Sequence, residues 1–213
     1  MATPMQLEET TPRERRHART HQLILDGARE IIATKGIDGL SMRGLARRID
    51  YSPAGLYEYF AGKNEIIDAV CDQGHQRLFD YLDQVDKSLA PTEYIQAVGL
   101  AYIRFALENR DHFLLMFTHM PADTDKNAEE IEAQTGAGSG FGILLDGVRR
   151  GIEAGVFVIR PGFGVLSMAY AAWAMVHGIA MLRLTTLRSY PIDFEQGDRE
   201  ALAAFAHGLT KAG

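Results

Sequence analysis

The chain has 213 residues, of which 46% are hydrophobic, and a formal net charge of −6 at pH 7. This length and apolar content are enough for one helical body of two lobes with a sizeable core. The single cysteine, Cys71, excludes an internal disulfide and suits a reducing compartment. Few runs alternate in hydrophobicity and many apolar residues recur at helical spacing, so we predict an all-α fold.

Residues 1 to 16 read MATPMQLEETTPRERR and are rich in proline, threonine and acidic residues. They contain no apolar run of signal-peptide length. We therefore expect a flexible N-terminal tail and a cytoplasmic protein.

Residues 24 to 63 predict three short helices separated by turn signals. Ile24, Ala28 and Ile31 share one apolar face of the first helix, and Ser41 is placed to cap the second. Because the basic residues of the second helix then face outward, the segment is typical of a nucleic-acid binder.

The third predicted helix is very short. Ser52 supplies an N-cap and Pro53 a preset first residue, while Leu56 and Phe60 face the core at positions i and i+4. The other side chains are then free to face a groove of DNA and its flanking phosphates. We interpret residues 17 to 63 as a helix-turn-helix DNA-binding domain.

The segment ends with the residues Gly55, Leu56, Tyr57, Glu58, Tyr59 and Phe60, followed by Lys63. They resemble the signature of the TetR family of transcriptional regulators. That signature combines a small residue at the helix start, Leu-Tyr-x-[His/Tyr]-Phe, and a lysine that opens the fourth helix. Gly44, Asp50 and Glu58 depart from the family pattern. A carboxylate at Glu58 can accept a hydrogen bond from cytosine N4 but is repelled by phosphate.

The resemblance implies a set of DNA contacts. Tyr57, Tyr59 and Lys63 are expected at phosphates, and the third helix is expected to read bases. The predicted contact residues are Arg16, Arg19, Ser41, Arg43, Ser52, Pro53, Ala54, Gly55, Tyr57, Glu58, Tyr59 and Lys63. The charge distribution agrees, since residues 12 to 63 carry net +4 and residues 64 to 213 carry −8.

Residues 64 to 213 form the second predicted domain, an effector-binding and dimerisation domain. Amphipathic helices are predicted over residues 63 to 88, 92 to 108 and 111 to 120. Their aromatic and methionine side chains can adapt to a small apolar ligand, although they can equally be plain core. The predicted lining residues are Phe79, Tyr102, Phe105, Phe113, Met116, Phe117 and Met120.

Two separated segments resemble the Trp-His-Gly type of C-terminal ligand-binding domain found in some TetR regulators. They are residues 101 to 117 and the motif Trp173-x3-His177-Gly178. Trp173 and His177 are spaced i, i+4 and share one helix face. The resemblance implies an effector site that includes both, and residues 121 to 140 predict a loop or short helix at its entrance.

Residues 161 to 182 contain no Asp, Glu, Lys or Arg. By length alone this segment could span a bilayer, but its Ala and Gly content, Ser167 and His177 favour a buried or interfacial helix. We therefore expect no membrane association.

A homodimer interface is predicted at residues 140 to 157 and 163 to 187, because TetR-like proteins dimerise through their last two long helices. The glycines of the first segment recur at i+4, a spacing that permits close backbone approach. The predicted interface residues are Leu144, Gly147, Val148, Gly151, Ile152, Gly155, Met168 and Ala172.

An enzyme is the main rival class of protein. The seven histidines show no HExxH motif and no metal-ligand spacing, and G-x-S-x-G, P-loop and Rossmann patterns are absent. We predict no catalytic residue, metal or cofactor. The predicted function is a ligand-responsive repressor, released from palindromic double-stranded operator DNA by a small, largely apolar effector. An architectural or activating DNA-binding protein without effector is the alternative.

Overall fold

The computed structural model describes residues 11 to 119, residue 136 and residues 138 to 210. Within these ranges the regular elements are helices, accompanied by two isolated bridges between Phe157 and Thr210 and between Arg160 and Phe163. The predicted all-α fold is therefore confirmed. Met120 and most of the predicted entrance loop lie outside the described residues.

The chain divides into two compact units, Met1–Cys71 and Asp72–Gly213. The sequence placed this division between residues 63 and 64, where the fourth helix begins. In the structure the division falls within that helix, because its first two turns bury Ile66, Ile67 and Val70.

The first unit contains helices α1 (Pro12–Lys35), α2 (Met42–Arg48) and α3 (Pro53–Leu56), a 3-10 turn at Ile37–Gly39, and the start of α4 (Lys63–Asp83). Its buried apolar side chains lie on all four helices and in the turn after α3. They include Ile24, Leu25, Ala28, Ile31, Leu45, Ala46, Leu56, Phe60, Ile66 and Ile67.

Helix α1 starts earlier than the sequence suggested. Thr11 Oγ1 accepts a hydrogen bond from Glu14 N at 3.2 Å, and Thr11 N donates to Glu14 Oε2 at 2.6 Å. This reciprocal cap satisfies two backbone N–H groups at the helix end. Residues 12 to 16, predicted as part of the tail, are consequently helical.

Close packing of α1 on α2 depends on Gly27. A Cβ at this position would lie 2.5 Å from Ile49 Cγ2 and 3.1 Å from Leu45 Cδ1. After α2 the chain turns at Asp50, whose φ of 52° is in the left-handed region, and Tyr51 N donates to Ala46 O at 2.8 Å. Aspartate tolerates this conformation better than most residues.

The second unit is built around α5 (Pro91–Glu108). It contains the rest of α4 together with α6 (Arg110–Thr118), α7 (Gly140–Glu153), α8 (Val165–Leu184) and α9 (Glu195–Gly208). Helix α5 packs against α7, α8 and α9.

A partly buried ion pair joins the end of α8 to α9. Arg183 donates to Asp198, and Arg183 Cζ lies 5.4 Å from the centre of the Phe194 ring. Burial raises the pKa of Asp198 while Arg183 opposes that rise. Removing either partner would therefore leave the other as an unpaired, partly buried charge.

Most of the residues predicted as a dimer interface are packed inside the protomer. A Cβ at Gly147 would lie 2.7 Å from Tyr94 Cε1, and one at Gly151 would lie 2.1 Å from Phe157 Cδ2. The glycines therefore admit aromatic rings of the same chain. Leu144, Val148, Met168 and Ala172 are buried in the core and Ile152 packs partly against it, whereas Gly155 forms the turn after α7 with a φ of 69°.

Helix α8 has the length and composition of a membrane span, with 20 residues and a mean hydropathy of 1.6. Only 28% of the most apolar stretch of 18 residues in this helix is buried within the protomer. One side packs against α5 and α7, and the other exposes Leu166, Tyr170 and Leu182. An apolar helix face is thus left uncovered in the single chain.

Candidate functional site

The recognition element is α3 with the turn that follows it. Ser52 Oγ accepts from Gly55 N at 2.9 Å and caps the helix, and Pro53 is its first residue. Tyr57 N donates to Ala54 O, so the chain continues in a tight turn. This local hydrogen bonding fixes a short helix whose outer side chains are held in place.

Most side chains of this element divide as the sequence predicted. Leu56 and Phe60 are buried, while the predicted DNA contacts Ser52, Pro53, Ala54, Tyr57 and Glu58 are exposed and Gly55 and Tyr59 are partly buried. The exposed set therefore forms one accessible surface anchored by two apolar residues.

Basic residues and a second cap belong to the predicted DNA-binding face. Ser41 Oγ accepts from Gly44 N at 3.1 Å, which uses one acceptor position of this hydroxyl but leaves its proton available. Arg43 and Arg19 are exposed, and Arg16 Nε donates to Pro12 O at 3.3 Å along α1. Arg48, by contrast, forms an ion pair with Glu30.

Lys63 is the first residue of α4 and is exposed. Just before it, Ala61 N donates to Glu65 Oε2 at 2.5 Å, so the entry to α4 is fixed by its own first turn. A lysine at a helix N-terminus combines its charge with the positive end of the helix dipole.

Two residues near Tyr59 were missed by sequence reasoning. His17 of α1 stacks on the Tyr59 ring with centroids 4.6 Å apart, and Tyr51 meets the same ring edge-on at 6.4 Å. The aromatic character of Tyr51, directly before the Ser52 cap, was the only signal in the sequence. Tyr59 is therefore held from two sides.

The second candidate site is an aromatic cluster in the C-terminal unit. Tyr102 on α5 and His177 on α8 form a hydrogen bond, with Tyr102 Oη 2.9 Å from His177 Nδ1. Phe117 lies against His177 with ring centroids 4.6 Å apart, and the Trp173 ring lies 6.1 Å from the same imidazole. The cluster thus encloses a polar pair within aromatic rings.

Burial favours the neutral form of both members of that pair. Burial raises the pKa of Tyr102, and a hydrogen bond from Trp173 partly opposes this rise. Burial also lowers the pKa of His177. A neutral imidazole has one donor and one acceptor nitrogen, so Nε2 of His177 can bond a further polar group.

The residues predicted to line the effector site differ in how far their side chains are exposed to solvent. Phe105 and Phe113 are completely buried, so in this conformation neither borders a space that admits water, and both belong to the core. Tyr102 and Met116 are buried except for small areas, whereas Phe79 and Phe117 are partly exposed. Trp173 and His177 also retain exposed surface. The accessible site is therefore smaller than predicted.

Metal ligands do not cluster in the part of the chain that the structure describes, where no group of three or more His, Cys, Asp or Glu side chains could hold an ion.

Two family models match the chain. Residues 24–70 match bacterial regulatory proteins of the tetR family, and residues 95–208 match the tetracyclin repressor-like C-terminal domain. These matches define a helix-turn-helix transcriptional regulator, a class of DNA-binding proteins that are not enzymes. Because the second match alone covers more than half of the sequence, the chain belongs to the TetR family. The Trp-His-Gly subtype stays a prediction.

A curated relative and two solved structures illustrate the similarity. The uncharacterized HTH-type transcriptional regulator YobS of Bacillus subtilis (strain 168) is 28% identical over 118 residues, which are 54% of this chain and 59% of YobS. A protein of unknown function from Rhodococcus sp. RHA1 superposes with a TM-score of 0.75 at 23% identity, covering 98% of this chain and 100% of that one.

The second structure is the TetR family transcriptional regulator PfmR from Thermus thermophilus, with a TM-score of 0.67 at 22% identity. The match covers 88% of this chain and 99% of PfmR. At these identities the structures support the fold.

Proposed function

We propose that the protein is a homodimeric repressor that binds a palindromic operator and leaves it when a small, largely apolar effector binds. The observation that carries this proposal is the exposed recognition surface on α3, held by the Ser52 cap and anchored by Leu56 and Phe60. Cytoplasmic location fits a DNA-binding role. In a two-fold symmetric dimer, the two copies of this recognition surface would lie in successive major grooves, about 34–36 Å apart.

The DNA contacts follow from the chemistry of the exposed side chains. Lys63, Tyr57 and Tyr59 can bind phosphates, and the N-terminal residues of α3 can reach base edges. Ser52, Ala54 and Glu58 are small or can accept hydrogen bonds from bases, which suits readout in the major groove. Arg16, Arg19 and Arg43 extend the positive surface on α1 and α2.

Selection of bound duplexes from a random DNA pool tests the proposal. The wild-type protein should enrich an inverted repeat over random sequence, with equal half-sites as two-fold symmetry requires. Enrichment of no sequence, or of a single asymmetric site, would contradict a symmetric operator-binding dimer.

Lys63→Ala is expected to weaken binding to selected and random duplexes by the same factor. Loss of one phosphate contact in each half-site should reduce the slope of log affinity against log salt concentration by about one unit for each half-site. Fluorescence anisotropy over a salt series measures both quantities. Lys35→Ala, an exposed lysine in the last turn of α1, removes the same charge from a helix other than α3 and α4 and serves as the control. An altered sequence preference with an unchanged slope would show that Lys63 contacts bases.

The exposed side of α8 is proposed as the dimer interface. Leu166, Tyr170 and Leu182 present apolar surface to solvent, and residues 161 to 182 carry no charge that would oppose a second copy. TetR regulators typically act as dimers. Two copies of this face related by a two-fold axis would remove these three apolar side chains from solvent.

Effector binding is proposed at the accessible part of the aromatic cluster. Phe117 and Trp173 supply apolar surface, and the Tyr102–His177 pair supplies hydrogen-bonding groups. These features suit an apolar molecule that carries one polar group. Residues of α4 contribute to both compact units, so an effector that displaces α4 can change the spacing of the two recognition helices.

Thermodynamic linkage constrains this switch. The effector must bind the conformation without DNA more tightly, and operator DNA must then weaken effector binding by the same factor. Trp173 is the only tryptophan in the chain, so its fluorescence reports on the site.

A screen of small apolar compounds should therefore identify an effector that changes Trp173 emission and releases operator DNA over one concentration range. His177→Ala is expected to weaken that effector about tenfold, the cost of a lost hydrogen bond. His207→Ala, an exposed histidine on α9, is the matched control. Unchanged effector affinity in His177→Ala would place the effector elsewhere.

Complete burial of Phe105 and Phe113 favours a second candidate function. If the cluster stays closed, the protein is a DNA-binding regulator without effector. Operator affinity that no apolar compound changes, in the presence of a stable dimer, would support this alternative.

A further inference from the structure

Tyr51 lies immediately before the α3 cap and its side chain is 37% exposed. Its ring contacts the first turn of the recognition helix. A Cβ built on Gly55 would come within 2.6 Å of Tyr51 Cε1, and the hydroxyl of Ser52 would be 3.0 Å from the same Cβ. Because glycine leaves this space open, the Tyr51 ring can lie along the helix that reads DNA.

Tyr59 completes an aromatic row with Tyr51 and His17. The His17 and Tyr59 rings are stacked with an interplanar angle of 28°, and the Tyr51 and Tyr59 rings meet at 75°. The Tyr59 side chain, as a hydrogen-bonding neighbour, raises the pKa of Tyr51 above its ordinary value, and burial adds to this rise. The two tyrosine rings therefore contact each other in the absence of DNA.

We propose that Tyr51 is a further DNA-contacting residue and that Tyr51 and Tyr59 bind one phosphate group as a hydroxyl pair. The inference rests on the proposed DNA-binding function of this unit. When one hydroxyl donates to the other, one O–H of the pair is left to donate to a phosphate oxygen, and the first hydrogen bond polarises the second. Tyrosine hydroxyls are common donors to DNA phosphates.

The pair acts through hydrogen bonds rather than through charge. Glu58, whose carboxylate acts electrostatically on Tyr51, lies close to the pair and would disfavour a purely ionic phosphate contact. Neutral hydroxyl groups release no counterion when they bind DNA. Removing either hydroxyl should consequently lower affinity without changing the salt slope, in contrast to Lys63→Ala.

A double-mutant cycle tests whether the two hydroxyls form one unit. Tyr51→Phe, Tyr59→Phe and the double variant keep all the rings, so packing against Gly55 and His17 is retained. Affinities are measured by anisotropy on the duplex that the wild-type protein selects. Each single variant should bind about tenfold more weakly, and the double variant should lose little more, because either change already breaks the pair.

Tyr190→Phe removes an exposed hydroxyl from the other unit and should retain wild-type affinity. Equal thermal midpoints for all variants show that the fold is intact. Additive losses, with the double variant about a hundredfold weaker, would overturn the pair, and an unchanged affinity of Tyr51→Phe would remove Tyr51 from the DNA interface. If the wild-type protein selects no duplex at all, the proposed function itself fails, and the inference with it.

Discussion

Replacing Gly151 by leucine is expected to destabilise the C-terminal unit by about 3 kcal/mol or more, through overpacking of its core. A Cβ at this position would lie 2.1 Å from Phe157 Cδ2 and 2.2 Å from Cε2. Phe157 cannot easily move, because its backbone N and that of Val156 both donate to Gly151 O at 3.0 Å. Next to it, Val158 N donates to Leu209 O at 2.9 Å.

Urea and thermal unfolding of the purified variant measure this effect, with the midpoint falling by roughly 2–4 °C for each kcal/mol lost. Gly197→Ala in α9 is the matched control, because nothing lies within 4 Å of its Cβ position. That change should stabilise the helix by up to about 1 kcal/mol. If Gly151→Leu instead unfolds at the wild-type midpoint and only dissociates a dimer, the glycines contact a second copy as the sequence suggested.

The DNA-binding unit was predictable because its signals are local. Ser41 and Ser52 each cap a helix within three residues, and Asp50 adopts a left-handed conformation in the turn between two helices. Side-chain caps and turn residues act over a few positions of the chain. They can therefore be identified without knowing the rest of the fold.

The glycines of α7 could not be assigned from their spacing. A repeat at i+4 indicates that something approaches the helix closely, but the same repeat serves a neighbour in the chain or a second copy. Here the neighbours are Tyr94 of α5 and Phe157 of the following turn. Tyr94 is more than fifty residues away in sequence from Gly147, so only the fold reveals the contact.

The residues of the aromatic site could be predicted from the sequence, but which of them are exposed to solvent could not. The spacing of Trp173 and His177 correctly places both on one face of α8, and Tyr102 and Phe117 contact His177. Whether a ring borders open space depends on packing from several helices, which periodicity does not encode. For that reason Phe105 and Phe113 were included although both are fully buried.

The membrane-like composition of α8 was misleading for a related reason. A helix that is apolar all round can lie in a bilayer, a core or an interface. The structure distinguishes two sides of α8, one buried against α5 and α7 and one exposed with Leu166, Tyr170 and Leu182. The exposed side defines the surface that a second copy is proposed to cover.

Leu166→Glu combined with Tyr170→Glu is expected to convert the dimer into a folded monomer. These side chains are 65% and 61% exposed in the single chain, so glutamate costs little in the isolated protomer. In a two-fold interface each copy contributes both changes, and four carboxylates would be buried without partners. Several kcal/mol of desolvation is therefore expected, enough to weaken dimerisation by about a thousandfold.

Sedimentation velocity over a concentration series measures the dimer dissociation constant, and circular dichroism checks that the helices remain. Leu107→Glu is the matched control, because this leucine on α5 is also exposed, at 39%, but lies outside the proposed interface. The monomeric variant should also lose most of its operator affinity, since one recognition helix binds one half-site. A double variant that sediments as a wild-type dimer would show that α8 does not form the interface, and the exposed face would then need another partner.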